Sequence, residues 1–314
     1  MKTVKACLVS VMLVGLLAGI ANAMPLNSSA RAVIPVDLQQ LFSVDYRALK
    51  DSPTAMQLKA QLMPDNLKQF EEALKGVGIN PDKDVDSLAF AAFRTAKGGT
   101  RQVGVAAGPF AMKAVLKKMA LRKIKPTKYH TSNIYPMDGG MVMCFLDDST
   151  LLFGEMSAVK IALATRDGEI LSMDTNSTMS DMMSEVDSGP VWSILDQQGT
   201  QNVMRSALGD ASKIGDYDTI KKRLLGSRYT MSFNSGVNFD LTVVASDSIS
   251  AATLSSLVKA GLLYKKMSAS GAEKVAMENT SVDSDGSNVQ FHFKASDQQF
   301  QSLMHSELFA AVSH

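Results

Sequence analysis

Twice along this chain, two short apolar runs joined by a glycine turn lead into a helical stretch and then into two more such runs. That order limits the fold more than any other feature. In the first set, Leu88 to Phe93 and Val103 to Ala107 flank Gly98-Gly99, which reads as a β-hairpin. Pro109 then opens a helix with Met112, Val115, Leu116 and Met119 on one face. Ile134-Tyr135, Met141 to Phe145 and Leu151 to Phe153 follow as strands, divided by Asp138-Gly139-Gly140 and Asp147-Asp148, and Ala158 to Leu163 is helical. In the second set, Arg228 to Phe233 and Phe239 to Ala245 make a hairpin around Ser235-Gly236, and Ser250 starts a helix carrying Ala251, Leu254 and Leu257. Val275 to Val282 and Val289 to Phe293 read as a hairpin through Asp285-Gly286. Ser296 with Gln299 is a capping box that opens a last helix with Phe300, Leu303 and Met304. Hairpins alternating with single helices call for an α+β fold, antiparallel sheets with helices covering one face.

A shift of 138 lays Val103 on Leu241, Val105 on Val243, Ala114 on Ala252, Leu151 on Val289 and Phe153 on Phe291. Two explanations stay open, a degenerate duplication of a ββα-ββα unit or the ordinary likeness of any two hairpin-helix units.

Ahead of the first unit, Leu38, Leu41, Phe42, Tyr46 and Leu49 recur at helical spacing. So do Met56, Leu58 and Leu62, between an Asp51 cap and Pro64, and then Leu67, Phe70, Leu74 and Val77. Asn80-Pro81-Asp82 is a turn. The expected organisation is a signal peptide over 1–23, a loose tether over 24–34, helices plus the first α+β unit over 35–180, a helical connector over 181–226 and the second unit over 227–314. The connector holds the only tryptophan, Trp192, with Gly209 and Gly226 as helix C-caps.

Lys2 and Lys5, the apolar stretch Ala6 to Ile20 and Ala21-Asn22-Ala23 have the layout of a signal peptide cut after Ala23. The expected location is periplasmic or secreted, with no transmembrane segment in the mature chain, since about 20 apolar residues are needed to span a bilayer. Removing Lys2 and Lys5 leaves 30 basic side chains against 31 acidic ones. So balanced a chain has no overall pull toward nucleic acid or anionic lipid, whose binding rests on clustered Lys and Arg, and neither partner is expected. Cys144 is the sole cysteine after Cys7 is removed, so no internal disulfide forms; its setting Met-Val-Met-Cys-Phe-Leu is that of a buried thiol.

The chemistry-bearing residues form no recognisable catalytic pattern. There is no G-x-S-x-G, no H-x-x-x-H or C-x-x-C, and no phosphate-binding glycine loop. Of the four histidines, His130, His292, His305 and His314, the second alternates with Phe291 and Phe293 and is expected to face solvent. Asp283 to Asn288 is loosely like a calcium loop but reads better as a type I′ Asp-Gly turn. Met173, Met179, Met182 and Met183 are soft donors for Cu(I) or else core fillers. Lys117, Lys118, Arg122, Lys123, Lys125 and Lys128 make a solvated basic face or a weak anion site. Sequons stand at Asn27, Asn176 and Asn279. No catalytic, cofactor-binding or metal residue is assigned.

Pro35-Val36-Asp37, Val44 to Leu49, Gly78 to Asp84 and Leu151 to Gly154 resemble segments of a group of exported bacterial proteins of uncharacterised activity, such as occur in acidobacteria. The resemblance implies export and an extended α+β unit, and it carries over no functional residues. Three functions fit these residues. One is non-enzymatic binding of an envelope protein or an apolar ligand such as a lipid, the second a hydrolase using Asp147 with Asp148 or Asp283 with Asp285, the third an inert scaffold.

Overall fold

The computed structural model describes residues 25–62, 65–96, 98–208, 217–234 and 236–304. The signal-peptide reading of 1–23, together with Cys7, Pro64, Gly209, Ser235, His305 and His314, lies outside them. The fold is α+β. Its strands are β1 (Leu38–Asp45), β2 (Ser87–Arg94), β3 (Thr100–Ala107), β4 (Thr127–Tyr129), β5 (Ser132–Pro136), β6 (Val142–Asp147), β7 (Thr150–Gly154), β8 (Val191–Asp196), β9 (Leu224–Ser232), β10 (Val237–Ala245), β11 (Thr280–Asp285) and β12 (Asn288–Ala295). They form one twelve-stranded sheet in the order β11-β12-β10-β9-β8-β1-β2-β3-β7-β6-β5-β4. Neighbouring strands run antiparallel, and the two halves of the sheet meet where β1 pairs with β8, from Gln40 opposite Leu195 to Val44 opposite Val191.

The helices are α1 (Ser28–Ala32), α2 (Tyr46–Leu49), α3 (Pro53–Leu62), α4 (Asp65–Val77), α5 (Pro81–Asp84), α6 (Met112–Leu121), α7 (Met156–Arg166), α8 (Ser177–Ser184), α9 (Gln197–Leu208), α10 (Tyr217–Ile220), α11 (Ser248–Ser268), α12 (Gly271–Glu278) and α13 (Asp297–Met304). They do not keep to one face. Leu41, Ala91, Val103, Cys144, Leu152 and Trp192 point to the side where α1, α7 and α8 supply Ala30, Leu163 and Met183. Alternate residues of the same strands, Leu88, Ala106, Met143, Leu151 and Phe153, pack on Leu74 of α4 and Met119 of α6. On this second side α11 covers Leu224, Val243 and Val289 with Ala251 and Leu254. A strand buried on both sides carries apolar residues without alternation, as β2 and β8 do.

Several expectations need correction. Residues 25–34 are no tether: Asn27 caps α1, accepting from the Ala30 N–H at 2.8 Å and donating to Thr150 Oγ1 at 3.0 Å, and Ala30, Val33 and Ile34 are buried. The expected first helix is strand β1. A register irregularity between Leu38 and Gln40 lets Leu38 and Leu41 enter the same core at a spacing that imitates a helix. Trp192 sits in the central strand β8, not in a helical connector. Gly226 is a residue of β9, not a cap: a Cβ there would meet Met182 Cε at 2.6 Å and the Leu195 carbonyl at 2.8 Å. Val275 to Glu278 belong to α12, and only the following residues form β11. Ser52, not Asp51, caps α3, its Oγ accepting from the Ala55 N–H. The turn between β11 and β12 has Gly286 at φ 54° and Ser287 on the negative side, as in type II′ rather than I′. The capping box is formed as expected, with Ser296 N–H donating to Gln299 Oε1 at 2.9 Å and Gln299 N–H to Ser296 Oγ at 3.3 Å.

Counting outward from the join, one half reads β8, β9, β10, β12, β11 and the other β1, β2, β3, β7, β6. The pair Ala91–Val103 falls on Tyr229–Leu241 at the shift of 138. Val105 pairs with Leu152 whereas Val243 pairs with Val289. The match of Leu151 to Val289 is therefore out by one residue.

Candidate functional site

A mostly apolar opening lies on the second side of the sheet, above the join. Its floor is Phe42 and Val44 of β1, Val191 of β8 and Met231 of β9; Phe233 follows just beyond β9. Its walls come from α2 and α3 through Leu49, Met56 and Leu58, and from Asp82, Lys83, Val85 and Asp86. The cavity holds about 350 Å³ and is mostly apolar, within the range of small-molecule sites.

Local sequence explains the walls. Asp45 ends β1 and caps α2, its carboxylate accepting from the Ala48 N–H at 2.9 Å. Pro53 then fixes the first turn of α3 behind the Ser52 cap. Thr54 Oγ1 donates to Asp297 Oδ1 at 2.5 Å, so α3 is tied to the start of α13. Arg47 Nε donates to Asp86 Oδ1 at 3.0 Å and holds α2 against the entry to β2.

One polar group crosses the wall. Lys59 Nζ lies 2.8 Å from Glu71 Oε1 on α4, 3.9 Å from Asp82 Oδ1 and 4.5 Å from the centre of the Tyr46 ring. Burial first, then the charges of Glu71 and Asp82, push the Tyr46 hydroxyl well above the usual phenol range. Lys50 and Lys83 stand exposed at the rim. The lining includes no His, Ser or Cys, so it offers apolar surface with charges around its edge rather than a nucleophile beside a base.

The residues singled out in the sequence are scattered. Met173, Met179, Met182 and Met183 are all buried in the first core with Cys144, whose thiol is pushed up by burial. Among the described residues no group of three or more His, Cys, Asp or Glu side chains could hold a metal ion. Asp147 is turned to its own loop, accepting from Ser149 N–H at 2.7 Å and Ser149 Oγ at 2.9 Å. Asp283 and Asp285 are exposed on end strand β11, where Asp283 lies 3.4 Å from Lys259. His292 Nδ1 lies 2.6 Å from Asp240 Oδ1 on the uncovered face of β12 and β10. His130 stacks on Tyr129 and lies 3.3 Å from Asp167. The sequon residues are helix-end groups: Asn27 and Asn176 cap α1 and α8, and Asn279 ends α12. Sequence reasoning missed the cavity altogether; the only signal for it was the alternation of Phe42 and Val44, on its floor, with buried Leu41 and Ser43.

No family model matches this chain, and no curated protein matches it in sequence. Among solved structures it is similar to one described as the structure of crystal form I of TP0453, with a TM-score of 0.47 and 8% sequence identity over 93% of this chain and 98% of that one. No helix among the described residues is long and apolar enough to cross a membrane.

Proposed function

We propose that this protein is a non-enzymatic binder of a lipid-like apolar ligand, taken into the cavity between α3 and the join of the sheet, and that it acts outside the cytoplasm. The carrying observation is the cavity itself, a space of about 350 Å³ with Phe42, Val44, Met56 and Met231 turned into it. Apolar surface left facing such a space gains roughly 25 cal/mol for each Å² that a ligand covers. The small volume suits a single chain or ring system better than a two-chain lipid.

The test is native mass spectrometry and organic extraction of the protein purified from residue 24 onward, with uptake of 1-anilinonaphthalene-8-sulfonate by the stripped form. Val44→Phe raises a bulky ring from the cavity floor and is expected to weaken uptake clearly without lowering thermal stability. Stripped protein that takes up no probe, or equal uptake by Val44→Phe, would sink the assignment.

The two halves of the sheet are further read as a duplicated unit. Support comes from the shared strand order about the β1–β8 join and from the coincidence of the β2–β3 and β9–β10 registers at one shift. Superposing 87–107 on 225–245 should fit best in that register; a better fit at any other would remove the reading.

A further inference from the structure

The chain is nearly neutral, yet between Phe110 and Met137 it carries Lys113, Lys117, Lys118, Arg122, Lys123, Lys125 and Lys128 and no acidic residue. Lys113, Lys117, Lys123, Lys125 and Lys128 are exposed along α6, the loop after it and β4, while Lys118 turns against Gly78 and exposed Arg122 donates from Nη1 to the Gly76 carbonyl at 2.5 Å. Among the described residues none of the seven is in an ion pair, whereas Arg31, Arg94 and Arg223 elsewhere each meet an aspartate. The acids that approach this arm sit at its margins. Asp138 lies against Gly76, and Asp167 and Glu169 engage His130.

Two details say what such a surface meets. Leu121, 76% exposed, ends α6 in the middle of the cations, while its neighbour Ile124 turns back toward the core. The loop is held by a two-bond helix stop, Lys123 N–H to the Ala120 carbonyl and Ile124 N–H to the Met119 carbonyl, at 2.9 and 3.0 Å. Lys123 occupies the left-handed position, φ 59°, where glycine is usual. A cation is kept there against the backbone preference. The one aromatic ring of the arm that could stack a base, Tyr129, is already occupied by the His130 ring at 4.3 Å and by Lys160 at 5.5 Å, which disfavours single-stranded nucleic acid.

We infer that the α6–β4 arm docks on an anionic lipid surface, its five exposed lysines meeting headgroups and Leu121 entering the interface. Basic clusters gain affinity at such surfaces lysine by lysine and lose it to salt. The inference is independent of what fills the cavity.

Flotation of the protein from residue 24 onward tests it, with vesicles of phosphatidylcholine alone or mixed with phosphatidylglycerol, at low and high salt. Expected are binding to the mixed vesicles only, its loss at high salt, and a clear weakening by Leu121→Ser. Lys123→Gly, which relieves the backbone and so preserves folding, should weaken binding about fivefold. Equal binding to neutral vesicles, or none to either, overturns the inference. So does binding to a DNA duplex at the same salt that matches binding to vesicles and ignores Leu121→Ser.

Discussion

Lys59 Nζ stands 2.8 Å from Glu71 Oε1, joining the wall of the cavity to the helix behind it, with only 19% and 14% of the two side chains exposed. Removing Glu71 leaves the largely buried Lys59 ammonium with only the more distant and exposed Asp82 carboxylate, at 3.9 Å, to match it. Glu71→Gln should therefore cost about 1–3 kcal/mol in urea unfolding. The double change Lys59→Met with Glu71→Leu should recover most of it, because an apolar pair needs no desolvation offset.

At high pH the protein should lose stability through its buried phenols. Burial pushes Tyr229 up to about 12, against a partial opposing effect of Ser193, and it raises Tyr46 as well. Since the unfolded phenol titrates near 10, the folded state holds protons that the unfolded state has released. The stabilising contribution is complete below that point and is lost as pH rises toward 12. Tyr229→Phe should flatten this alkaline limb in urea midpoints measured at successive pH values; an unchanged limb would show that Tyr229 does not drive it.

The acid limb should report on Asp247. Hydrogen bonds from Ser250 N–H and then Ser246 lower its carboxyl to about 2 while it caps α11. A depressed carboxyl contributes stability above its unfolded value near 4 and gives it up as pH falls toward 2. Asp247→Asn keeps a cap acceptor but should remove that pH dependence, whereas Asp247→Ala should lower the melting temperature at neutral pH too.

Gly104 and Phe153 face each other across β3 and β7. A Cβ on Gly104 would fall 1.9 Å from Phe153 Cζ, and the ring cannot retreat because Phe70 stacks on it at 3.4 Å. Gly104→Ala should destabilise by about 1–3 kcal/mol and Phe153→Ala by about 3–5 kcal/mol, both read by chemical denaturation. A neutral Gly104→Ala would show that the ring can move aside.

Elements whose signals are local were legible in the sequence. The hairpins, α4 with Phe70 and Leu74, and the Ser296–Gln299 box all rest on neighbours within a few residues. β1 was misread because one irregularity after Leu38 converts an alternating strand into a three-residue spacing. β8 was misread because Trp192 and Ile194 enter one core while Ser193 and Leu195 turn to the other side, leaving no periodicity to see. The cavity was illegible for a further reason: Val44, Met56, Val191 and Met231 belong to four elements that only the completed sheet brings together.

The β1–β8 ladder, running from Gln40–Leu195 to Val44–Val191, is also the strand pairing through which a pull on one half of the sheet passes to the other. Phe42 and Val44 lie on one side of it, and Val191 and Met231 on the other. Anything lodged above them grips both halves at once. Tension across the sheet would then be shared by the occupant, so a filled molecule should resist being pulled apart at a force where an empty one yields.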